Sequence, residues 1–131
     1  MEIVRRVWAA ADRRDSEAVF SLYDPDVELD VSGFPIVATN HTIYRGHTGL
    51  RRLFHEWREI WSDADSQLIE LVDAGAVGVV SIYTYRARGR GSGAPTGAEF
   101  ATVWTIKERK VVRVQWFIGR AEALEAAGLS E

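Results

Sequence analysis

The sequence predicts an α+β fold, with helices gathered in the first half and strands in the second. Three observations carry this. Apolar residues recur at three- and four-residue spacing near the N-terminus and again after Gly46. From about residue 66 the pattern changes to alternation, broken only by short turn signals. A lone alternating stretch, 26–31, separates the helical segments.

The elements follow in order. Ile3, Val4, Val7, Trp8 and Ala11 form the apolar stripe of a first helix, with Arg5, Arg6 and Asp12 elsewhere on the wheel. Asp15 can cap a second, short helix whose apolar face is Val19, Phe20, Leu22 and Tyr23. Asp24 and Pro25 end it, because the residue before proline avoids the helical region. Val27, Leu29 and Val31 then share one face of a strand, and Asp26, Glu28 and Asp30 share the other. Residues 32–42 read as a loop long enough to suggest function, with Gly33, Pro35 and Asn40 as breakers.

A third helix follows Gly46, with Leu50, Leu53, Phe54, Trp57, Ile60 and Trp61 on one stripe. Strands are predicted near 66–73, 76–88, 97–107 and 110–118, with turns at Asp73–Gly75, Gly89–Gly97 and Glu108–Arg109. A last helix, Ala121 to Ala127, ends at Gly128. Strands joined by short turns imply an antiparallel meander, with the helices packed on one face.

A chain of 131 residues fits one domain and buries enough surface to need no covalent staple. No linker, repeat or low-complexity tract divides it, so 1–131 is read as one unit. The net charge of −3 argues against a phosphate-binding surface, and hence against nucleic acid. Arg86, Arg88 and Arg90 read as a solvated hairpin tip. With no cysteine there are no disulfides, thiolate metal sites or thiol nucleophile, which fits a reducing cytoplasm. His41, His47 and His55 lack ligand-like spacing, so no metal is expected. Charged residues interrupt the N-terminal segment, and no apolar stretch approaches membrane-spanning length, so neither a signal peptide nor a membrane role is expected. The glycines at 89, 91 and 93 follow a strand without a helix to receive a phosphate. Five tryptophans are the unusual feature; large rings build cores and line pockets.

Four phrases, in order, are SEAVFSLYDPDVELDV, YRGHTGLRRLFHEW, FATVWTIKERKVVRV and RAEALEAAGL. Together they resemble the NTF2-like superfamily, in its SnoaL-like and ketosteroid-isomerase-like branch, over nearly the whole chain. The resemblance implies a cone: a strongly bent, mostly antiparallel sheet wrapped around helices, with an internal pocket. It also implies a homodimer through the outer sheet face. It does not imply one reaction, because members include isomerases, cyclases, epoxide hydrolases, dehydratases and proteins without catalysis.

The catalytic groups of the known branches are not matched. The resemblance puts the isomerase tyrosine at Val7, its proton-shuttling aspartate at Val31 and its late-strand acid near Thr102. The histidine and aspartate of cyclases fall at Val114 and Trp116, and the Asp–Arg–Asp set of epoxide hydrolases finds no counterpart on the strand faces. Thr102 reads most simply as a strand threonine bonded to backbone. Asp30 points away from Leu29 and Val31, as a surface carboxylate, unless a bulge re-aims it. His41, in the loop over the expected cavity mouth, is the best candidate acid or base, with Asp30 second. His47 belongs to a helix start, and His55 to the polar side of the third helix.

The residues expected around a ligand are Val7, Val31, Tyr44, Phe54, Trp57, Phe100, Thr102, Trp104, Val114 and Trp116. A wall of large rings with few polar partners favours a small hydrophobic or aromatic molecule, with no cofactor. Three functions are therefore weighed. The first is a pocket protein for such a molecule. The second is a proton-transfer enzyme using Asp30 or His41. The third is a dimeric interaction module with a closed cavity. Gln115 faces outward if the 108–109 hairpin keeps its register.

Overall fold

The computed structural model describes residues 2–33, 43–76, 78–89 and 95–129. Helix α1 (Glu2–Asp12) buries Ile3, Val4, Val7 and Ala10, the stripe read from spacing. It closes with Asp15 N–H donating to Ala10 O (2.9 Å) and Arg14 N–H to Ala11 O (3.0 Å). That pair is a Schellman turn, which puts Arg14 (φ +58°) in the left-handed position usually given to glycine. Asp15 then starts α2 (Ser16–Ser21), its carboxylate accepting from Ala18 N–H at 3.1 Å.

Strand β1 runs Tyr23–Gly33, three residues earlier and two later than the alternation indicated. Tyr23 therefore belongs to the sheet, not to α2. It stays at a strand start because Val111 N–H donates to Leu22 O (2.9 Å) and the Tyr23 side chain is buried. Pro25 lies where the pairing shifts, between Tyr23 and Glu28, so its missing N–H costs no ladder bond there. A three-residue strand, β2 (Ile43–Arg45), pairs with Glu28–Asp30; it is too short for periodicity to reveal.

Helix α3 (Gly46–Ile60) turns Leu50, Leu53, Phe54 and Trp57 inward as the stripe predicts, and Trp61 opens the next strand instead of closing the helix. Strands β3 (Trp61–Asp73), β4 (Val79–Gly89), β5 (Pro95–Lys107) and β6 (Lys110–Ile118) form the expected antiparallel meander. Helix α4 (Arg120–Ala126) ends the described chain.

The six strands form one sheet in the order β2-β1-β6-β5-β4-β3. Strand β1 runs parallel to β6, a pairing that short-turn reasoning cannot supply because no short connection joins the two. Register shifts occur at Ser62/Asp65 and Leu68/Glu70 along β3, and at Thr105/Ile106 along β5. Each inserts a local kink, and together they bend the sheet. At Gly78 (φ +137°) the chain enters β4 so near Trp104 that an added Cβ would lie 1.9 Å from its carbonyl oxygen.

The helices are not all on one face. Helices α1, α2 and α3 pack on the inner face with Val27, Leu29, Val111 and Val114. Helix α4 covers the opposite face, where Ala123 and Leu124 seal Val80, Ile82, Ala101 and Val103. Gly119 (φ +82°) turns the chain over the sheet, and Arg120 fastens it to Glu99 (3.2 Å) and Glu70 (3.7 Å). Burying the larger of these outer side chains contributes about 1.5–3 kcal/mol each, which explains why a seven-residue helix holds its place.

Candidate functional site: an aromatic cavity with a charged mouth

Residues directly opposite each other on neighbouring strands share a face, so register decides what the inner face displays. Ser81 stands opposite Thr102, and Thr102 opposite Trp116. Tyr83 stands opposite Phe100, and Val79 opposite Trp104. From this ladder Tyr83, Phe100, Thr102, Trp104 and Trp116, with Tyr85 one step further along β4, form the wall of a cavity of about 860 Å³. The facing wall comes from Val7 and Trp8 of α1, Phe20 of α2, and Phe54 and Trp57 of α3. That volume lies in the range of small-molecule sites.

The rings contact one another without closing the space. Trp8 meets Tyr83 edge-on at 5.2 Å between centroids, and Trp57 meets Tyr85 at 5.5 Å. Tyr85 and Phe100 lie 5.7 Å apart. With one exception, the fully buried side-chain polar atoms of the described wall have hydrogen-bond partners. Tyr83 Oη and Thr102 Oγ1 are 2.9 Å apart, Trp104 Nε1 donates to Ser81 Oγ at 2.8 Å, and Trp57 Nε1 donates to the Tyr85 hydroxyl at 2.5 Å. Trp8 Nε1 is the exception: it is buried with no hydrogen-bond partner among the described residues.

The inner wall carries no charge at neutral pH. Burial pushes the Tyr83 phenol up to about 12, against the lowering effect of the Thr102 hydrogen bond and with a smaller push from Tyr85. Burial also drives Tyr23 well above the ordinary phenol range, and it raises Tyr85 despite the bond from Trp57. Buried phenols of this kind donate hydrogen bonds and are not bases. The charged lining residues, Asp12, Arg14, Asp15, Arg51, His55 and Arg58, are all exposed and form the mouth.

Of the residues read from sequence, Val7, Val31, Phe54, Trp57, Phe100, Thr102, Trp104 and Trp116 line the cavity. Two expected there do not. Val114 is fully buried under the helices at the filled end of the cone, packed with Val4 and Leu29. Tyr44 is buried on β2, its hydroxyl bonded to Glu56 of α3. Alternation gives their face but not their distance along it, and at this end the helices sit directly on the sheet.

Asp30 is also outside the cavity. It stands opposite Gln115, accepts from Ser32 N–H (2.9 Å) and lies 3.7 Å from the Arg113 guanidinium. No bulge re-aims it. Gln115 stands opposite Val103, which packs under α4, so it faces outward. His41 lies outside the described residues. His47 Nε2 bonds the Tyr23 carbonyl at 2.9 Å, as part of the α3 start. His55 pairs with Glu59 at 3.0 Å on the exposed side of α3, although its position also borders the mouth.

Sequence reading missed the lining residues Tyr83 and Tyr85, and it missed Trp8. The signal for the first two was present: they alternate along β4 in phase with Phe100, Thr102 and Trp104 once the pairing of β4 with β5 is known. Thr102 differs from its plain reading as well, since its hydroxyl bonds a phenol and not backbone.

The profile of the SnoaL-like domain matches residues 4–114. This chain belongs to that family. Solved structures agree with the assignment to the NTF2-like superfamily. An NTF2-like protein of unknown function from Burkholderia pseudomallei superposes with TM-score 0.78 at 21% identity, covering 95% of this chain and 94% of that one. An NTF2-like protein from Burkholderia thailandensis gives TM-score 0.77 at 29% identity, covering 90% and 88%. TerC, co-crystallised with polyporic acid, gives TM-score 0.78 at 19% identity, covering 97% and 96%. No protein of curated function is similar in sequence. Among the described residues of this SnoaL-like chain, no cluster of side chains could hold a metal ion, and no helix is long and apolar enough to cross a membrane.

Proposed function

We propose that this SnoaL-like protein binds a small, flat, mostly apolar organic molecule inside the cone. One observation carries the reading: an aromatic wall encloses about 860 Å³, and its ionisable groups are phenols held neutral by burial. Apolar contact with the rings supplies affinity, on the order of 2 kcal/mol for each side chain desolvated on binding. The Tyr83–Thr102 pair offers a hydrogen bond to a carbonyl or ether oxygen of the ligand. Co-crystallisation of the neighbour TerC with polyporic acid supports the idea that this cone accommodates an organic guest.

Binding is favoured over proton transfer through Asp30. A general base must reach the proton it removes, and Asp30 is on the opposite face of the sheet, held by Arg113. The proposal includes a homodimer through the outer sheet face; because α4 occupies that face over β4 to β6, α4 would form part of the contact. It also includes a cytoplasmic setting.

Thermal shift with a set of planar aromatic ligands tests the proposal. A ligand that binds only the native state raises Tm by mass action, and Trp116→Ala should shrink that shift. Absence of any shift across the set would replace this reading with an interaction module.

A further inference from the structure

We infer that the ligand is a flat apolar monoanion, such as an aromatic carboxylate, lying with its apolar body inward and its charge held at the mouth by Arg14 and Arg51. The inference rests on the cavity being the ligand site. The inner wall holds no opposite charge to neutralise a charged group, and burying an unpaired charge is far costlier than leaving it wet. A charged end of the ligand therefore stays at the mouth, and the mouth decides which sign is welcome.

The mouth is cationic in a chain that is anionic overall. Arg14, Arg51 and Arg58 border it, against Asp12 and Asp15, while the whole chain carries −3. Asp15 is already engaged as the α2 cap. Neither Arg14 nor Arg51 pairs with a carboxylate among the described residues. Arg51 holds its guanidinium over the Phe20 ring, 5.0 Å from the centroid. Such a cation–π contact holds the cation at the mouth while leaving it charged.

Arg14 supplies the second, independent observation. It occupies the left-handed position of the turn between α1 and α2, at φ +58°, where a side chain is strained and glycine is at ease. No hydrogen bond or ion pair ties the Arg14 side chain to another described residue. A cation displayed from that corner, against the same opening as Arg51, has its use in what it meets outside the fold.

The test uses matched probes that differ only in charge: naphthoate with naphthamide, and anthracene carboxylate with anthracene carboxamide. Affinities are read by quenching of tryptophan fluorescence. The wild-type protein should prefer each carboxylate to its amide by roughly fivefold, the size of two exposed charge contacts. Arg51→Gln and Arg14→Gly should each reduce that ratio, and together they should bring it to about one. Salt of about 0.5 M, where screening acts over roughly 4 Å, should do likewise in the wild type. Equal affinity for acid and amide, or a preference that survives in the double variant, overturns the inference while leaving the cavity as the site. Failure of all four probes to bind would remove the ligand-site reading itself.

Discussion

Tyr83 and Thr102 are diagonal neighbours on adjacent strands, and their hydroxyl oxygens lie 2.9 Å apart at the back of the cavity. Thr102 is almost wholly buried and Tyr83 nearly so. The bond therefore replaces water for both groups, and removing either partner leaves the other unsatisfied. Thr102→Val, which keeps the shape and deletes the hydroxyl, should lower stability by about 1–2 kcal/mol in urea denaturation. In a double-mutant cycle with Tyr83→Phe the two losses should not add. Strict additivity would mean that the bond contributes nothing.

The same burial sets the behaviour in alkali. Tyr83 titrates near 10 when unfolded and near 12 when folded, and Tyr23 and Tyr85 are shifted in the same direction. Between those values the native state holds more protons than the unfolded one, so stability falls as pH rises. It is fully present below pH 10 and lost progressively through pH 12. Unfolding free energies at stepped pH should show this decline, with a shallower slope in Tyr83→Phe. A flat profile over the same interval would contradict the assigned burial.

Arg14→Gly separates folding from binding. Relief of a left-handed non-glycine residue is worth about 1 kcal/mol, part of it offset by the greater freedom of glycine in the unfolded chain. The expected result is a Tm equal to or above that of the wild type, together with a reduced carboxylate preference. A clear fall in Tm would show that Arg14 serves the fold.

Leu124→Ala probes the outer face. It removes packing between α4 and the sheet and should cost about 2–3 kcal/mol in chemical denaturation. Leu124 lies across the sheet from the cavity lining, so ligand affinity measured below the unfolding transition should hold. A parallel loss of affinity would show that α4 sets the cavity's shape.

Gly78→Ala tests the close approach beside Trp104. The Trp104 carbonyl oxygen occupies the space that a Cβ needs, and the obstacle is backbone and cannot rotate aside. A loss of several kcal/mol, or failure to fold, is expected from so severe a backbone strain. Wild-type stability in this variant would show that the backbone there can move.

Some of the site was legible because it depends on local rules. Alternation set Phe100, Thr102 and Trp104 on one face, and three- and four-residue spacing set Val7, Phe54 and Trp57 on inward helix faces. Asp30 was placed on the outer side by the same alternation. Missing Tyr83 and Tyr85 was a failure of pairing, not of periodicity: their face follows from a neighbour strand whose register cannot be counted along one chain.

What the sequence alone determined is the order of the longer elements, the α+β class and the family resemblance, since each is written in nearest neighbours or in short phrases. The tertiary structure alone decided that β1 lies parallel to β6, that α4 crosses to the outer face, and that Val114 is plugged while Trp116 stands open. Those outcomes depend on which distant surfaces meet and how much space remains between them. Packing of that kind is a property of volumes in three dimensions, and a linear pattern records the faces of its elements without the gaps between them.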